Sequence, residues 1–140
     1  MSGKHVKVII DTNLWISFLI GLKSSSILRS ILTDGKITIV MTDILQQEIM
    51  NVASRPKFSR YFAPDACERL LSFLRSRSEF HPLDEIPQRC RDPKDDYLLE
   101  LARVSDADIL VSGDEDLTEM KQFGHCHIIT LSQLKKALKK

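Results

Sequence analysis

The stretch Val6–Asn13, which reads VKVIIDTN, predicts a buried β-strand that leads directly into a helix. Its first five residues are β-branched except for one lysine, a composition typical of a strand covered on both faces. Its last three residues, Asp11, Thr12 and Asn13, are of types that bond to backbone N–H groups at helix starts. Because open α/β sheets bind ligands beyond the carboxyl ends of their strands, Asp11 is either a helix cap or an active-site carboxylate.

Composition predicts one soluble domain spanning residues 1–140, with a core large enough to fold without disulfides. No apolar run reaches the length of a membrane span, and the N-terminus does not read as a signal peptide, so we expect a cytoplasmic protein with no membrane partner. The three cysteines, Cys67, Cys90 and Cys126, are scattered and lack the paired spacing of a zinc site. A net charge of +1 does not by itself indicate a nucleic-acid partner.

Strand-like and helix-like segments alternate along the whole chain. The expected strands cover Val6–Ile10, Lys36–Val40, Phe80–Leu83, Ala107–Val111 and His127–Thr130. The expected helices begin near Asn13, Ser26, Thr42, Pro64, Asp95 or Asp96, and Leu131. This alternation favours an α/β fold with a parallel sheet of about four or five strands, covered by helices on both faces and joined by right-handed crossovers.

Acidic residues recur where these strands end and the following helices begin. Parallel strands end at one edge of a sheet, so the acids near those ends are expected to converge there; they are Asp11, Glu48, Asp95 and Asp114. Carboxylates in one pocket repel one another, which raises their pKa values and destabilises the fold. Mg²⁺ or Mn²⁺ relieves this repulsion because both prefer oxygen ligands, and one ion, or two about 3.5–4 Å apart, would activate water and bind a scissile phosphate. The alternative is that each acid is a separate cap or a solvated loop residue.

Four segments, taken in order, resemble the PIN-domain ribonuclease family. They are residues 8–13 (VIIDTN), Glu48 on its helix, residues 92–102 (DPKDDYLLELA) and residues 111–117 (VSGDEDL). The resemblance spans most of the chain, and the pattern is most similar to PIN proteins that are toxins of toxin–antitoxin systems. It implies a three-layer α/β/α sandwich, Mg²⁺- or Mn²⁺-dependent endoribonuclease activity on single-stranded or structured RNA, frequent homodimers and, for a toxin, a cognate antitoxin protein.

The family pattern also implies roles for single residues. The catalytic acids carried over from it are Asp11, Glu48, Asp95, Asp114 and Asp116. All of them except Asp116 are expected as metal ligands, and Asp92 and Asp96 are the alternatives to Asp95 in the third motif. The polar neighbours expected to orient these carboxylates are Thr12, Asn13 and Ser112. Gly113 is expected to permit a tight turn that aims two carboxylates at one point.

The sequence therefore predicts a metal-dependent endoribonuclease that is the toxin of a toxin–antitoxin pair. The alternative is a catalytically inactive module of the same fold that binds RNA or protein; missing acids would be its signature, and none is missing. A haloacid-dehalogenase phosphatase is disfavoured, because Asn13 stands where that chemistry needs a second Asp. A receiver-like signalling domain is disfavoured too, because no acid pair precedes the first strand–helix junction. Basic residues expected to steer RNA toward the pocket are Arg89, Arg91 and Lys94.

Overall fold

The computed structural model describes residues 5–21, 25–89 and 93–138, which form a six-stranded sheet with helices packed on it. The strands are β1 (Val6–Ile10), β2 (Ile37–Met41), β3 (Glu79–Phe80), β4 (Ile109–Val111), β5 (Gln122–Phe123) and β6 (Cys126–Ile129). The helices are α1 (Thr12–Ile20), α2 (Ser25–Thr33), α3 (Asp43–Ala53), α4 (Pro56–Ser59), α5 (Ala66–Arg77), α6 (Asp96–Ser105), α7 (Glu115–Thr118) and α8 (Leu131–Leu138). A 3₁₀ turn at Pro93–Asp95 leads into α6.

The order of the strands reverses direction at the centre of the sheet. Across the sheet the order is β3-β2-β1-β4-β6-β5. All neighbours pair in parallel except β5, which pairs antiparallel with β6. The chain therefore builds outward from β1 through β2 to β3, and then returns to place β4 on the other side of β1. The carboxyl ends of β1 and β4 form a topological switch point, which is where open α/β sheets bind ligands.

The core lies on both faces of β1, as its composition predicts. Val8, Ile9 and Ile10 are all fully buried, because helices cover both faces of the central strands. Leu45 of α3 and Leu99 of α6 are also fully buried. Burying a side chain of this size contributes about 1.5–3 kcal/mol, so the helices that carry the candidate acids are held firmly on the sheet.

The predicted fold class is confirmed, and the differences lie at the sheet edges. The sheet has six strands rather than four or five, because β5 adds a two-residue strand antiparallel to β6. The turn between them contains Gly124 at a φ of 62°, a backbone conformation that suits glycine. The edge strand expected at Phe80–Leu83, which Pro82 was expected to end, covers Glu79–Phe80, and Pro82 has no N–H for the ladder.

Helix boundaries differ from the prediction at three places. The helix expected to begin at Pro64 begins at Ala66. Short helices α4 and α7 lie in segments for which the sequence predicted no helix. Pro56 starts α4 at a position where the missing N–H costs no hydrogen bond. Among the described helices, none combines the length and the apolar character needed to cross a membrane.

Candidate active site

The register of the two central strands places Asp11 beside Ser112. Ile10 of β1 pairs with Val111 of β4, so the next residue of each strand lies at the same level of the sheet edge. The N–H of Asp11 donates to the carbonyl of Val111 at 3.0 Å and so continues the ladder past the end of β1. The carboxylate of Asp11 therefore stands at the switch point between β1 and β4.

Asp11 is a helix cap and a buried carboxylate at the same time. Its Oδ1 accepts the N–H of Thr12 at 2.7 Å, and its Oδ2 accepts the hydroxyl of Ser112 at 2.7 Å. The residue is only 8% exposed. Burial raises the pKa of Asp11 above its ordinary value of 3.8, and the charges of Glu48 and Asp114 raise it further, while the two hydrogen bonds oppose the rise. The two alternatives drawn from the sequence, cap and active-site acid, are thus compatible with one geometry.

Glu48 reaches the same edge from α3. Its Oε1 accepts hydrogen bonds from two hydroxyls, that of Thr12 on α1 and that of Tyr97 on α6. Burial raises the pKa of Tyr97 far above its ordinary value of 10.0, and Glu48 adds to the rise, so the phenol stays protonated and remains a donor. Glu48 therefore ties together the first turns of α1 and α6.

Asp114 is linked to Asp11 through Ser112. The hydroxyl of Ser112, which donates to Asp11, accepts the N–H of Asp114 at 3.0 Å. Oδ1 of Asp114 then accepts the N–H of Asp116 at 2.9 Å and caps α7. Ser112 is fully buried. One serine thus fixes the acid of β1 and the acid of the β4 loop with respect to each other.

Gly113 does not have the role that the sequence predicted. Its φ lies outside the left-handed region, and a Cβ at this position would meet no atom within 4 Å. The turn that aims the carboxylates therefore does not require glycine. The hydrogen bond from the N–H of Asp114 to Ser112 shapes it instead.

The acids of the third motif have different environments. Asp95 is the N-cap of α6 and is 6% exposed, while Asp96 is the first residue of the helix and is 4% exposed. Oδ1 of Asp96 accepts the N–H of Arg89 at 2.9 Å, so this carboxylate anchors the preceding loop. Asp92 lies outside the described residues. Asp95 stays our prediction for the third acid, because Asp96 is engaged in holding the loop.

Two residues expected to assist the acids are placed elsewhere. The side chain of Asn13 is exposed and bonds to no carboxylate of the described residues. Arg89 donates from Nη1 to Oε1 of Glu100 at 2.7 Å, and its guanidinium lies 5.1 Å from the ring centroid of Phe123. Arg89 is thus committed to the fold rather than available to steer RNA, which corrects the expectation. Of the other two cations predicted for that role, Lys94 is exposed, and Arg91 lies outside the described residues.

Sequence reasoning missed Tyr97 and Glu100, although both lie within the third motif. Glu100 also bonds Arg103, at 2.7 Å between Oε2 and Nη2, and the hydrogen bonds of Arg103 and Arg89 lower its pKa to about 2. The spacing of Glu100 and Arg103, three residues apart on one helix, is a sequence signal for this pair. For Tyr97 no such signal exists, because its contact with Glu48 joins residues 49 positions apart.

The oxygen donors of the site fit a hard divalent cation in their chemistry. Carboxylates of Asp11, Glu48 and Asp114 are the ligand type that Mg²⁺ and Mn²⁺ prefer. Among the described residues, Oε2 of Glu48 and Oδ2 of Asp114 accept no hydrogen bond, so both have lone pairs to offer. Within the same part of the chain, however, no three Asp, Glu, His or Cys side chains are already spaced to ligate one ion. A cation would thus have to draw these carboxylates closer together.

Comparison with known proteins relates this fold to a family of nucleases. Among solved structures, the chain is similar to the PIN domain endonuclease Utp24, with a TM-score of 0.53 and 16% identity, over 89% of this chain and 84% of that chain. At this identity the likeness establishes the shared fold. Among curated protein sequences, none matches the chain.

The sequence itself matches a family model as well. The model describes the PIN domain and matches residues 7–116, a range that contains Asp11, Glu48, Asp95 and Asp114. PIN domains are generally metal-dependent nucleases. Because the match covers well over half of its length, this chain belongs to the PIN domain family.

Proposed function

We propose that the chain is a metal-dependent endoribonuclease that hydrolyses RNA phosphodiester bonds. The observation that carries the proposal is a set of hydrogen bonds at the switch point of the sheet. Thr12 bonds Asp11 through its N–H and Glu48 through its hydroxyl, and the hydroxyl of Ser112 links the Asp11 carboxylate to the backbone N–H of Asp114. Membership of the PIN family supports the same reaction class. Acids that were separate caps or solvated loop residues would not be linked through shared residues, as these three are through Thr12 and Ser112.

The protein groups around the acids act as positioning residues. Ser112 orients the Asp11 carboxylate, and the hydroxyls of Thr12 and Tyr97 hold Oε1 of Glu48. Fixing one oxygen of a carboxylate aims the other, a task commonly performed by partners of metal ligands. These contacts lower the cost of arranging the acids around a reacting phosphate.

Asp11, Glu48, Asp95 and Asp114 are proposed to hold Mg²⁺ or Mn²⁺, with Asp116 assisting. When bound, such a cation supplies Lewis-acid activation of water and neutralises charge on the phosphate and the leaving group. Burial and the neighbouring charges already raise the pKa of Asp11, which is the electrostatic cost that a cation would relieve.

Cleavage of labelled RNA in defined metal conditions tests the proposal. We expect the purified protein to cut RNA in Mn²⁺ or Mg²⁺ and to stop when EDTA is added. The matched control is Asp11→Asn, prepared in the same way, because a contaminating ribonuclease would be unaffected by that substitution. Cleavage that persists in EDTA, or equal cleavage by Asp11→Asn, would refute the assignment.

A second candidate function, a catalytically inactive module that binds RNA or protein, is favoured by one observation. Among the described residues, no three side chains are already spaced as ligands of one metal ion. Calorimetric titration with Mn²⁺ separates the candidates: the nuclease binds the ion and loses that binding in Asp11→Asn, whereas the inactive module does not bind it. Asp95→Asn gives a second test with the same readout.

For the cellular role we propose a toxin of a toxin–antitoxin pair that acts as a homodimer and is held inactive by a cognate antitoxin. The support is the pattern of the four acidic motifs, which resembles toxins of this family. Induced expression is expected to arrest growth, and Asp11→Asn is expected not to. Light scattering of the purified protein would give its mass, and a mass near 16.0 kDa would contradict the dimer.

A further inference from the structure

One face of α3 connects the carboxylate cluster with a run of cations. A shallow groove of about 590 Å³ lies along this face, and its polar lining consists of the acids Asp43 and Glu48, the amides of Gln47 and Asn51, and Arg55. Glu48 and Arg55 are seven positions apart in the sequence, which is a rise of about 10 Å at helical spacing. The groove therefore leads from an acid of the candidate active site to the start of α4.

The segment that follows the groove is basic and has no acid of its own. Residues 54–64 (SRPKFSRYFAP) contain Arg55, Lys57 and Arg60 and neither Asp nor Glu. All three side chains are exposed, and none forms an ion pair with any residue that the structure describes. Arg89 and Arg103 beside α6, by contrast, both form an ion pair with Glu100. Exposed cations without a counter-charge are available to a polyanion such as a phosphate backbone.

An exposed aromatic ring lies within the same segment. Tyr61 is 57% exposed, and the guanidinium of Arg60 lies 5.2 Å from the centroid of its ring. Unpaired bases stack on tyrosine rings and on arginine planes, whereas bases inside a duplex are already stacked and paired. The combination of cations and an accessible ring thus favours a single strand over a duplex.

We propose that Arg55, Lys57, Arg60 and Tyr61, together called the α4 surface, bind single-stranded RNA beside the carboxylate cluster. The inference rests on the proposed nuclease function and assigns the surface that holds its substrate: the cluster takes the scissile phosphate, and the α4 surface holds neighbouring nucleotides. The cations pair with phosphates, and Tyr61 stacks on a base. The groove along α3 is the path between the two.

Binding of fluorescently labelled single-stranded RNA in EDTA tests the α4 surface without requiring cleavage. We expect Arg55→Ala/Arg60→Ala to raise the Kd about tenfold or more and to reduce the slope of log K against log salt by about 1.4, since each phosphate contact to a single strand contributes about 0.7. The matched control is Lys135→Ala/Lys136→Ala, which removes the same charge from exposed positions of α8. The control is expected to bind like the parent.

The stacking contact is tested by a separate pair of variants. Tyr61→Ala is expected to weaken binding about fivefold or more, and Tyr61→Phe, which keeps the ring, to bind like the parent. The parent is also expected to bind the single strand more tightly than the duplex of the same sequence. Because Tyr61 is largely exposed, we expect thermal unfolding of both variants to match the parent.

Several outcomes would overturn the α4 surface. They are an unchanged Kd for Arg55→Ala/Arg60→Ala, an equal loss in the α8 control, or tighter binding of duplex. Failure of the nuclease function would look different: the protein would bind the single strand through the α4 surface in EDTA and yet leave it uncut in Mn²⁺. A parent protein that did not bind the single strand in EDTA and yet cut it in Mn²⁺ would refute the inference and keep the nuclease function.

Discussion

The hydroxyl of Tyr97 donates to Oε1 of Glu48 at 2.5 Å and thereby joins the third sequence motif to the second. The ring is 6% exposed, and the same carboxylate oxygen accepts the hydroxyl of Thr12. A charge-assisted bond of this kind is stronger than a bond between neutral groups. The orientation of the Glu48 carboxylate therefore depends on a side chain that is not itself acidic.

Tyr97→Phe is expected to reduce the metal-dependent cleavage rate about 10–100-fold, the range found when a partner of a metal ligand is lost. The fold should remain, at a cost of about 1–2 kcal/mol for the lost hydrogen bond. The matched control is Tyr61→Phe, because Tyr61 is the other tyrosine of the chain and is exposed. Cleavage kinetics and urea unfolding of both variants check the prediction, and equal rates for both would show that Tyr97 does not position Glu48.

The central part of the fold could be predicted from sequence, because its signals are local and strong. Val6–Ile10 has the composition of a buried strand, and its observed bounds match the prediction. The two-residue strand Gln122–Phe123 is too short to show the alternation of apolar and polar residues that indicates a strand. It forms because it pairs with Cys126 and His127. Short edge elements owe their existence to tertiary pairing, which a pattern read along the chain does not contain.

The position of Asp11 and Asp114 at the sheet edge was predictable, and the partners of the candidate acids were less so. An acid that follows a strand must lie at the sheet edge, so Asp11 and Asp114 were placed there by topology alone. The contact between Tyr97 and Glu48 depends on how two helices are rotated on the sheet, and the sequence does not encode that rotation locally. The RNA-steering role predicted for Arg89 was wrong for the same reason. Its guanidinium bonds Glu100, which lies a helix turn beyond the loop that carries Arg89.

Asp11→Asn is expected to abolish cleavage, with a loss above about 100-fold, and to stabilise the metal-free protein by about 0.5–2 kcal/mol at neutral pH. Burial raises the folded-state pKa of Asp11 above its ordinary 3.8, so the folded protein binds this proton more tightly than the unfolded chain does. The resulting contribution to the free energy of unfolding is fully present below pH 3.8 and is lost as the pH rises through the folded-state pKa. The stability advantage of the variant over the parent should therefore grow as the pH rises above 3.8 and vanish as the pH falls toward 3.8. Urea unfolding in EDTA between neutral pH and pH 3.8 measures the difference, and a variant less stable than the parent at neutral pH contradicts the argument that burial of the charged carboxylate is costly.

Glu100→Gln is expected to remove an acid-sensitive part of the stability. Arg103 and Arg89 lower the folded-state pKa of Glu100 from 4.5 to about 2, so its contribution is present above pH 4.5 and is lost as the pH falls through about 2. At neutral pH the substitution should cost about 1–3 kcal/mol, because the charged hydrogen bonds of two arginines are weakened. Thermal unfolding between pH 7 and 2 checks this, with Glu85→Gln in the exposed loop as the control. A parallel pH dependence of parent and Glu100→Gln would contradict it.

Asp95→Asn and Asp96→Asn are expected to differ in which property they lose, cleavage for the first and stability for the second. Asp96 accepts the N–H of Arg89 at 2.9 Å and is 4% exposed, so Asp96→Asn should lower the free energy of unfolding by about 1–3 kcal/mol and keep most of the Mn²⁺-dependent cleavage. Asp95→Asn should lose more than about 100-fold in cleavage and also weaken Mn²⁺ binding in a calorimetric titration, because it removes a proposed ligand of the ion. The reverse pattern, with Mn²⁺ affinity lost only in Asp96→Asn, would transfer the third ligand position to Asp96. That result would mean that the loop at Arg89 is held by a metal ligand, so that metal binding and loop order would be coupled through one carboxylate.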